Sequence, residues 1–289
     1  MKNKFTLLVV TAHPDDETFG MGGTLAFYSH KGVDVTLVCA TRGEAGDINE
    51  ELLRAYSSIG DLREAELRCA SKKLGLKEIF FLGYRDSGMQ GTQDNFHPRA
   101  LVQVPIERLA SDIAYYIRRV IPQVVITFDP IGGYGHPDHI RIHKATVKAF
   151  ELAGEQSFYC RGLPLFQPQK LYFHILPSCF LKIIVKLMPL FGQDPHHFGK
   201  NKDIDLVAVL ENDYPVGAKI NYRSVAKVRD EAAGCYVSQG GEQQSGFIVL
   251  WLRRLFLNVE NFMQSFPPAE GKRVERDLFE GIKIIKEVD

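Results

Sequence analysis

The sequence predicts an α/β fold: a doubly wound, Rossmann-like, mostly parallel sheet with helices on both faces, continued by a C-terminal α/β extension. Three observations carry that expectation. Short β-branched runs at 5–12, 33–40, 77–82 and 122–128 alternate with helix-period stretches at about 21–31, 58–74, 105–120 and 137–151, the pattern of βαβ units. The first and fourth runs are continuous in apolar character, as strands covered on both faces must be. Long polar loops follow the strands at 41–47, 83–89 and 129–135, at the carboxyl ends where open α/β sheets take their ligands.

The first run, from Phe5 to Ala12, leads directly into His13-Pro14-Asp15-Asp16. Lys2 and Lys4 before it resemble a weak secretory signal, but cleavage there would cut into the tetrapeptide, so the run reads as a strand. Gly20-Met21-Gly22-Gly23 lies too late for a dinucleotide fingerprint and reads as close helix packing. Gly32, Gly75 and Pro122 punctuate the helix ends. The fourth strand passes through a glycine-rich turn to His136-Pro137-Asp138-His139, with the proline suited to a first helical turn. Later strands are expected at 171–175 and 204–209, and later helices near 216–236 and 247–263. Chain 1–289 reads as one domain, with a Rossmann-like core at 1–160 and the extension at 161–289.

At 289 residues, 45% of them hydrophobic, the chain can bury a sizeable core. Thirty-five basic and 35 acidic residues cancel, which gives no support for a nucleic-acid or anionic-membrane partner. The apolar stretch 175–191 is too short for a span, carries Lys182 and Lys186, and is marked by Pro177 and Pro189, so no transmembrane segment is expected. With Ser178, Lys182 and Lys186 on one line it reads as a buried helix, the alternative being a hydrophobic cover beside the active-site mouth. Five widely spaced cysteines, with no C-x-x-C pair, favour a reducing, cytoplasmic compartment.

The two tetrapeptides carry the chemistry. With strand order 3-2-1-4, strands 1 and 4 are neighbours where the order reverses, so the ends of both strands meet although well over a hundred residues separate them. Catalytic zinc takes three nitrogen or oxygen ligands and leaves a fourth position open. His13, Asp16, His136 and His139 are four candidates for three places, with Asp15 in addition. The surplus suits a hydrolase, which also needs a base and an acid.

Ala12-His13-Pro14-Asp15-Asp16-Glu17, Thr41-Arg42-Gly43-Glu44, Arg63-Glu64-Ala65-Glu66-Leu67, Asp86-Ser87-Gly88-Met89 and Gly133-Tyr134-Gly135-His136-Pro137-Asp138-His139 resemble the PIG-L/LmbE zinc-dependent N-deacetylases. The likeness is strongest to the branch of the mycothiol-biosynthesis deacetylase and mycothiol-conjugate amidase. It covers about residues 5–152. The resemblance implies His13, Asp16 and His139 as ligands of one zinc ion, with iron(II) an alternative for two histidines and a carboxylate. It implies Asp15 as general base, His136 as oxyanion stabiliser or proton donor, and Asp138 as a partner behind the ligands. Asp47, Arg63, Asp86, Met89 and Tyr134 match substrate-lining positions. One departure stands out: family members commonly carry a histidine before the Ser-Gln near the C-terminal helix, and here Tyr236 stands there.

The expected function is removal of an N-acetyl group from an N-acetylglucosamine-type small molecule, releasing acetate and a free amine. The alternatives are an amidase cleaving a larger acyl group and a sugar-binding module without catalysis. The sequence leaves a homo-oligomer open.

Overall fold

The computed structural model describes residues 4–176, 182, 185–197, 205–240, 258–269, 271 and 273–283. The elements are β1 (Thr6–Thr11), α1 (Asp16–His30), β2 (Asp34–Cys39), α2 (Glu50–Leu53), α3 (Ile59–Leu74), β3 (Glu78–Phe81), α4 (Ile106–Val120), β4 (Val124–Phe128), α5 (Gly132–Gly135), α6 (Pro137–Leu152) and β5 (Lys170–Ile175). After these come α7 (Leu206–Leu210), β6 (Ala218–Asn221), α8 (Ala226–Ala233) and β7 (Val259–Phe266).

The seven strands form one sheet in the order β3-β2-β1-β4-β5-β7-β6. β3, β2, β1, β4 and β5 run parallel, and β7 lies antiparallel between β5 and β6. The order expected for the first four strands is therefore observed, and β1 pairs with β4 through Leu7 to Val124 and Val9 to Ile126. Because successive side chains point to opposite faces, β1 feeds two cores. Leu7 and Val9 pack with Leu25, Leu67 and Leu74 of α1 and α3, whereas Leu8 and Val10 pack with Ile113, Ile117 and Ile142 of α4 and α6.

Local chemistry sets the helix limits. Ser58 caps α3 by accepting from the Asp61 amide, and Gly75 ends it at φ 78°, a left-handed closure that suits glycine. α1 begins at Asp16, earlier than expected, and is interrupted at Met21 (φ −139°). Past that kink the amides of Gly23 and Thr24 donate to the Glu260 carboxylate of β7, at 3.0 and 2.7 Å. Gly23 also faces the Tyr222 ring so closely that a Cβ would lie 2.2 Å from it, so the glycine run does serve helix packing.

The C-terminal expectations need correction. Of the strand expected at 204–209, residue 204 lies outside the described residues and 205–209 do not form a strand: Asp205 accepts from the amides of Val207 and Ala208 and caps the short α7. The expected helix at 216–236 begins instead as β6, an edge strand alternating buried and exposed, and only Ala226–Ala233 is α-helical. Of 247–263, the described part is β7 from Val259 with Asn258 before it; residues 247–257, like 177–181 (Ser178 among them) and 183–184 of the 175–191 stretch, lie outside the described residues. Lys182 and Lys186 are exposed. No helix among the described residues is long and apolar enough to cross a membrane. Cys69 of α3 and Cys235 form a disulfide across 166 residues of sequence. Nothing in the cysteine spacing pointed to this pair.

Candidate metal and active site

The end of β1 and the start of α6 bring the two tetrapeptides together. His13 Nδ1 lies 3.2 Å from His139 Nε2. Asp16 Oδ1 lies 3.1 Å from that same His139 Nε2, and Asp16 Oδ2 lies 3.6 Å from His13 Nδ1. The far side of each imidazole fixes its proton. His13 Nε2 faces the carboxylates of Asp138 at 3.1 Å and Asp86 at 3.3 Å, and His139 Nδ1 faces the Gly132 carbonyl at 3.1 Å. Each acceptor is placed to hold the proton on the far nitrogen, the tautomer in which the inward nitrogen is free to ligate a cation.

Two ring nitrogens and a carboxylate thus converge in a buried space. Burial would raise the Asp16 carboxyl, but His139, His13 and the His13 backbone amide hold it well below its ordinary value. A cation bound among them would satisfy all three together. Tetrahedral bonds of about 2.0–2.1 Å place ligand atoms about 3.3 Å apart, close to the spacings found here. The donor set therefore fits a zinc-like ion.

The supporting shell comes from the loops after β2, β3 and β4. The Ser87 amide donates to Asp138 Oδ2 at 2.9 Å, the oxygen that faces His13. Gly88 and Ala45 donate to Asp86, and the Asp86 amide donates to Glu44. The Phe128 ring stacks on His139 with centroids 4.0 Å apart. At Gly132 (φ 68°) a Cβ would sit 2.7 Å from that of His139, so only glycine lets the turn carbonyl reach the imidazole.

Asp15 stands beside this cluster in a backbone conformation that L-residues rarely adopt, φ 111° and ψ −32°. Arg63, buried in α3, donates from Nη2 to the Pro14 carbonyl at 2.5 Å and to Asp15 Oδ2 at 2.9 Å. Burial pushes the Asp15 carboxyl up to about 7, against the pull of Arg63. His136 packs within 4.6 and 4.8 Å of the rings of His13 and His139. Its Nδ1 accepts from the Asp138 amide at 3.2 Å, which caps α6 and leaves the proton on Nε2. Burial, with His13 and His139 adding to it, pushes His136 down to about 2.

The expected substrate-lining residues divide into two groups. Arg63 and Asp86 are buried and contact the motif residues themselves. Tyr134 lines a cavity of about 260 Å³ with Asp15, Asp16, His139, Phe19 and His174. Tyr134 also lines an adjoining cavity of about 350 Å³, with Met89. Asp47 is exposed on the 41–47 loop. No role was expected from the sequence for Glu17, Glu44, Phe128 or His174. Glu17 and Glu44 were legible as the last residues of two of the motifs; Phe128 and His174 carry no local signal.

The family profile described as PIG-L, GlcNAc-PI de-N-acetylase, matches residues 8–150. A 1D-myo-inositol 2-acetamido-2-deoxy-alpha-D-glucopyranoside deacetylase of Acidothermus cellulolyticus is 34% identical over 98% of this chain and 97% of its own. A protein of the same name from Salinispora arenicola is 40% identical over 96% of this chain and 92% of its own. In architecture the chain resembles the N,N'-diacetylchitobiose deacetylase of Pyrococcus horikoshii, with a TM-score of 0.61 at 20% identity, over 91% of this chain and 84% of that one. The chain belongs to the PIG-L family and is a hydrolase of the N-deacetylase/amidase class.

Proposed function

We propose that this protein is a zinc-dependent N-deacetylase that removes the acetyl group from an N-acetylglucosamine-type substrate, releasing acetate and a free amine. The observation that carries the reading is the convergence of His13 Nδ1, His139 Nε2 and the Asp16 carboxylate beside the carboxylate of Asp15. The names of the full-length relatives support the amino-sugar substrate. His13, Asp16 and His139 would hold the ion, and iron(II) suits the same donors. Bound there, it supplies a Lewis acid that polarises the amide carbonyl and makes water acidic near neutral pH.

The chain's own groups do the rest. Asp15, held through one oxygen by Arg63, accepts a proton from the attacking water. His136 is neutral and carries its proton on Nε2, so it serves as a hydrogen-bond donor to the developing oxyanion and does not protonate the amine. The proton for the departing nitrogen then returns from Asp15. Met89, Tyr134 and Asp47 would meet the sugar, whereas Arg63 and Asp86 act from behind, on Asp15 and His13. Mass spectrometry of products from a panel of N-acylated glucosaminides tests the reading. Acetate and a free amine from N-acetyl substrates are expected. An acylated amino acid released from a thiol conjugate, with N-acetyl substrates untouched, would make the protein an amidase, and no hydrolysis of any member would leave it without catalysis.

A further inference from the structure

The first motif ends in a residue that the reaction does not use. Glu17 is fully buried, and both its oxygens are engaged: Oε1 accepts from the Tyr236 hydroxyl at 2.6 Å and from the neighbouring Thr18 hydroxyl at 2.5 Å, and Oε2 accepts from the backbone amide of Asp15 at 3.1 Å. Tyr236 is also fully buried and comes from 219 residues away in sequence. It is held on both sides by α3. Cys235 before it is bonded to Cys69, and Ser238 after it donates its amide and hydroxyl to Glu66 at 2.7 and 2.6 Å. An apolar pair of the same volume would fill this space without the cost of burying a carboxylate.

Asp15 explains the expense. A non-glycine residue at φ 111° is held there only by its surroundings. Its carbonyl accepts from Thr18 and Phe19 at the start of α1, its carboxylate is held by Arg63, and its amide is held by Glu17. Release of the amide frees the peptide plane to relax toward an ordinary conformation, and the carboxylate turns with it. We propose that Glu17 and Tyr236 are positioning residues: the Tyr236 hydroxyl fixes Glu17, and Glu17 fixes the backbone of Asp15 so that its carboxylate stays aimed at the attacking water. The tyrosine that departs from the family's histidine thus supplies a donor to Glu17, the last residue of the first motif. This inference rests on Asp15 being the base.

The test uses Tyr236→Phe, Glu17→Gln and Glu17→Ala in the full chain, with three readouts: metal content, steady-state kinetics on an N-acetylglucosaminide, and deuterium exchange of the amides in 13–19. Tyr236→Phe should retain the metal, leave KM near that of the parent and lower kcat by about ten- to a hundredfold, the scale of a misplaced catalytic group. Exchange in 13–19 should quicken. Glu17→Gln keeps an oxygen for the Asp15 amide and should retain more kcat than Glu17→Ala. A Tyr236→Phe protein with parental kcat and parental exchange overturns the proposal, and so does a kcat loss matched by metal loss, which would make the pair merely structural. The exchange readout needs no substrate: should the parent hydrolyse no glucosaminide, the proposed function fails while the hold on Asp15 is still measured.

Discussion

At Asp15, chemistry and backbone meet in one residue. Its carboxylate lies beside the converging ligands, its φ is 111°, and Arg63 touches both its side chain and the preceding carbonyl. Asparagine tolerates such backbone angles better than most residues, so Asp15→Asn should fold and keep its metal. An amide cannot accept the proton, and kcat should fall by about 10²–10⁴-fold. Near-parental turnover under saturating substrate would remove Asp15 from the mechanism. Arg63 was expected from the sequence to line the substrate. Its contacts here make Arg63→Ala a change that lowers kcat more than it raises KM, and a loss confined to KM would return it to substrate binding.

At the scale of elements, α1, which carries Asp16 into the site, is irregular. The kink at Met21 breaks its ladder, and the Glu260 carboxylate takes up the amides of Gly23 and Thr24. Burial raises the Glu260 carboxyl above its ordinary value although those amides and Arg229 oppose it. The folded state then binds the proton more tightly than the unfolded one, so this group's contribution is fully present below the unfolded value of about 4.3 and declines as pH rises through the folded value. Glu260→Gln should flatten the fall of Tm above about pH 4.3, read by thermal unfolding at a series of pH values. An unchanged Tm profile would show that Glu260 does not titrate differently on folding. Glu260→Ala should cost about 1–3 kcal/mol by leaving two buried amides unsatisfied. The kink and the carboxylate that completes it are not legible in the sequence, where Gly20 to Gly23 read only as close helix packing, because that acid lies on a strand over two hundred residues away.

For the molecule as a whole, legibility follows the range of the forces involved. The parallel half could be ordered because β1 and β4 are buried on both faces and read as unbroken apolar runs, and because both motifs sit at their carboxyl ends. Those two features suffice to bring His13, Asp16, His136 and His139 to one end of the sheet from sequence alone. The second half mixes edge strands with short helices, where local pattern does not decide. Residues 206–210 form an unbroken apolar run, as a buried strand would, yet the Asp205 cap makes them helical; 218–221 are polar at alternate positions because β6 is an edge. The Cys69–Cys235 bond and the Tyr236–Glu17 contact are set by tertiary folding alone and leave no mark in local sequence.

Everything proposed for the site depends on three side chains holding one ion. Elemental analysis of the purified protein and of His13→Ala, Asp16→Ala and His139→Ala, beside acetate release from an N-acetylglucosaminide, measures that dependence. The parent should carry about one zinc or iron ion per chain, and each variant should lose the metal and the activity together, with activity returning only as metal is restored at high concentration. Three variants that keep full metal content, or a metal-free parent that turns over substrate at the same rate, would contradict it.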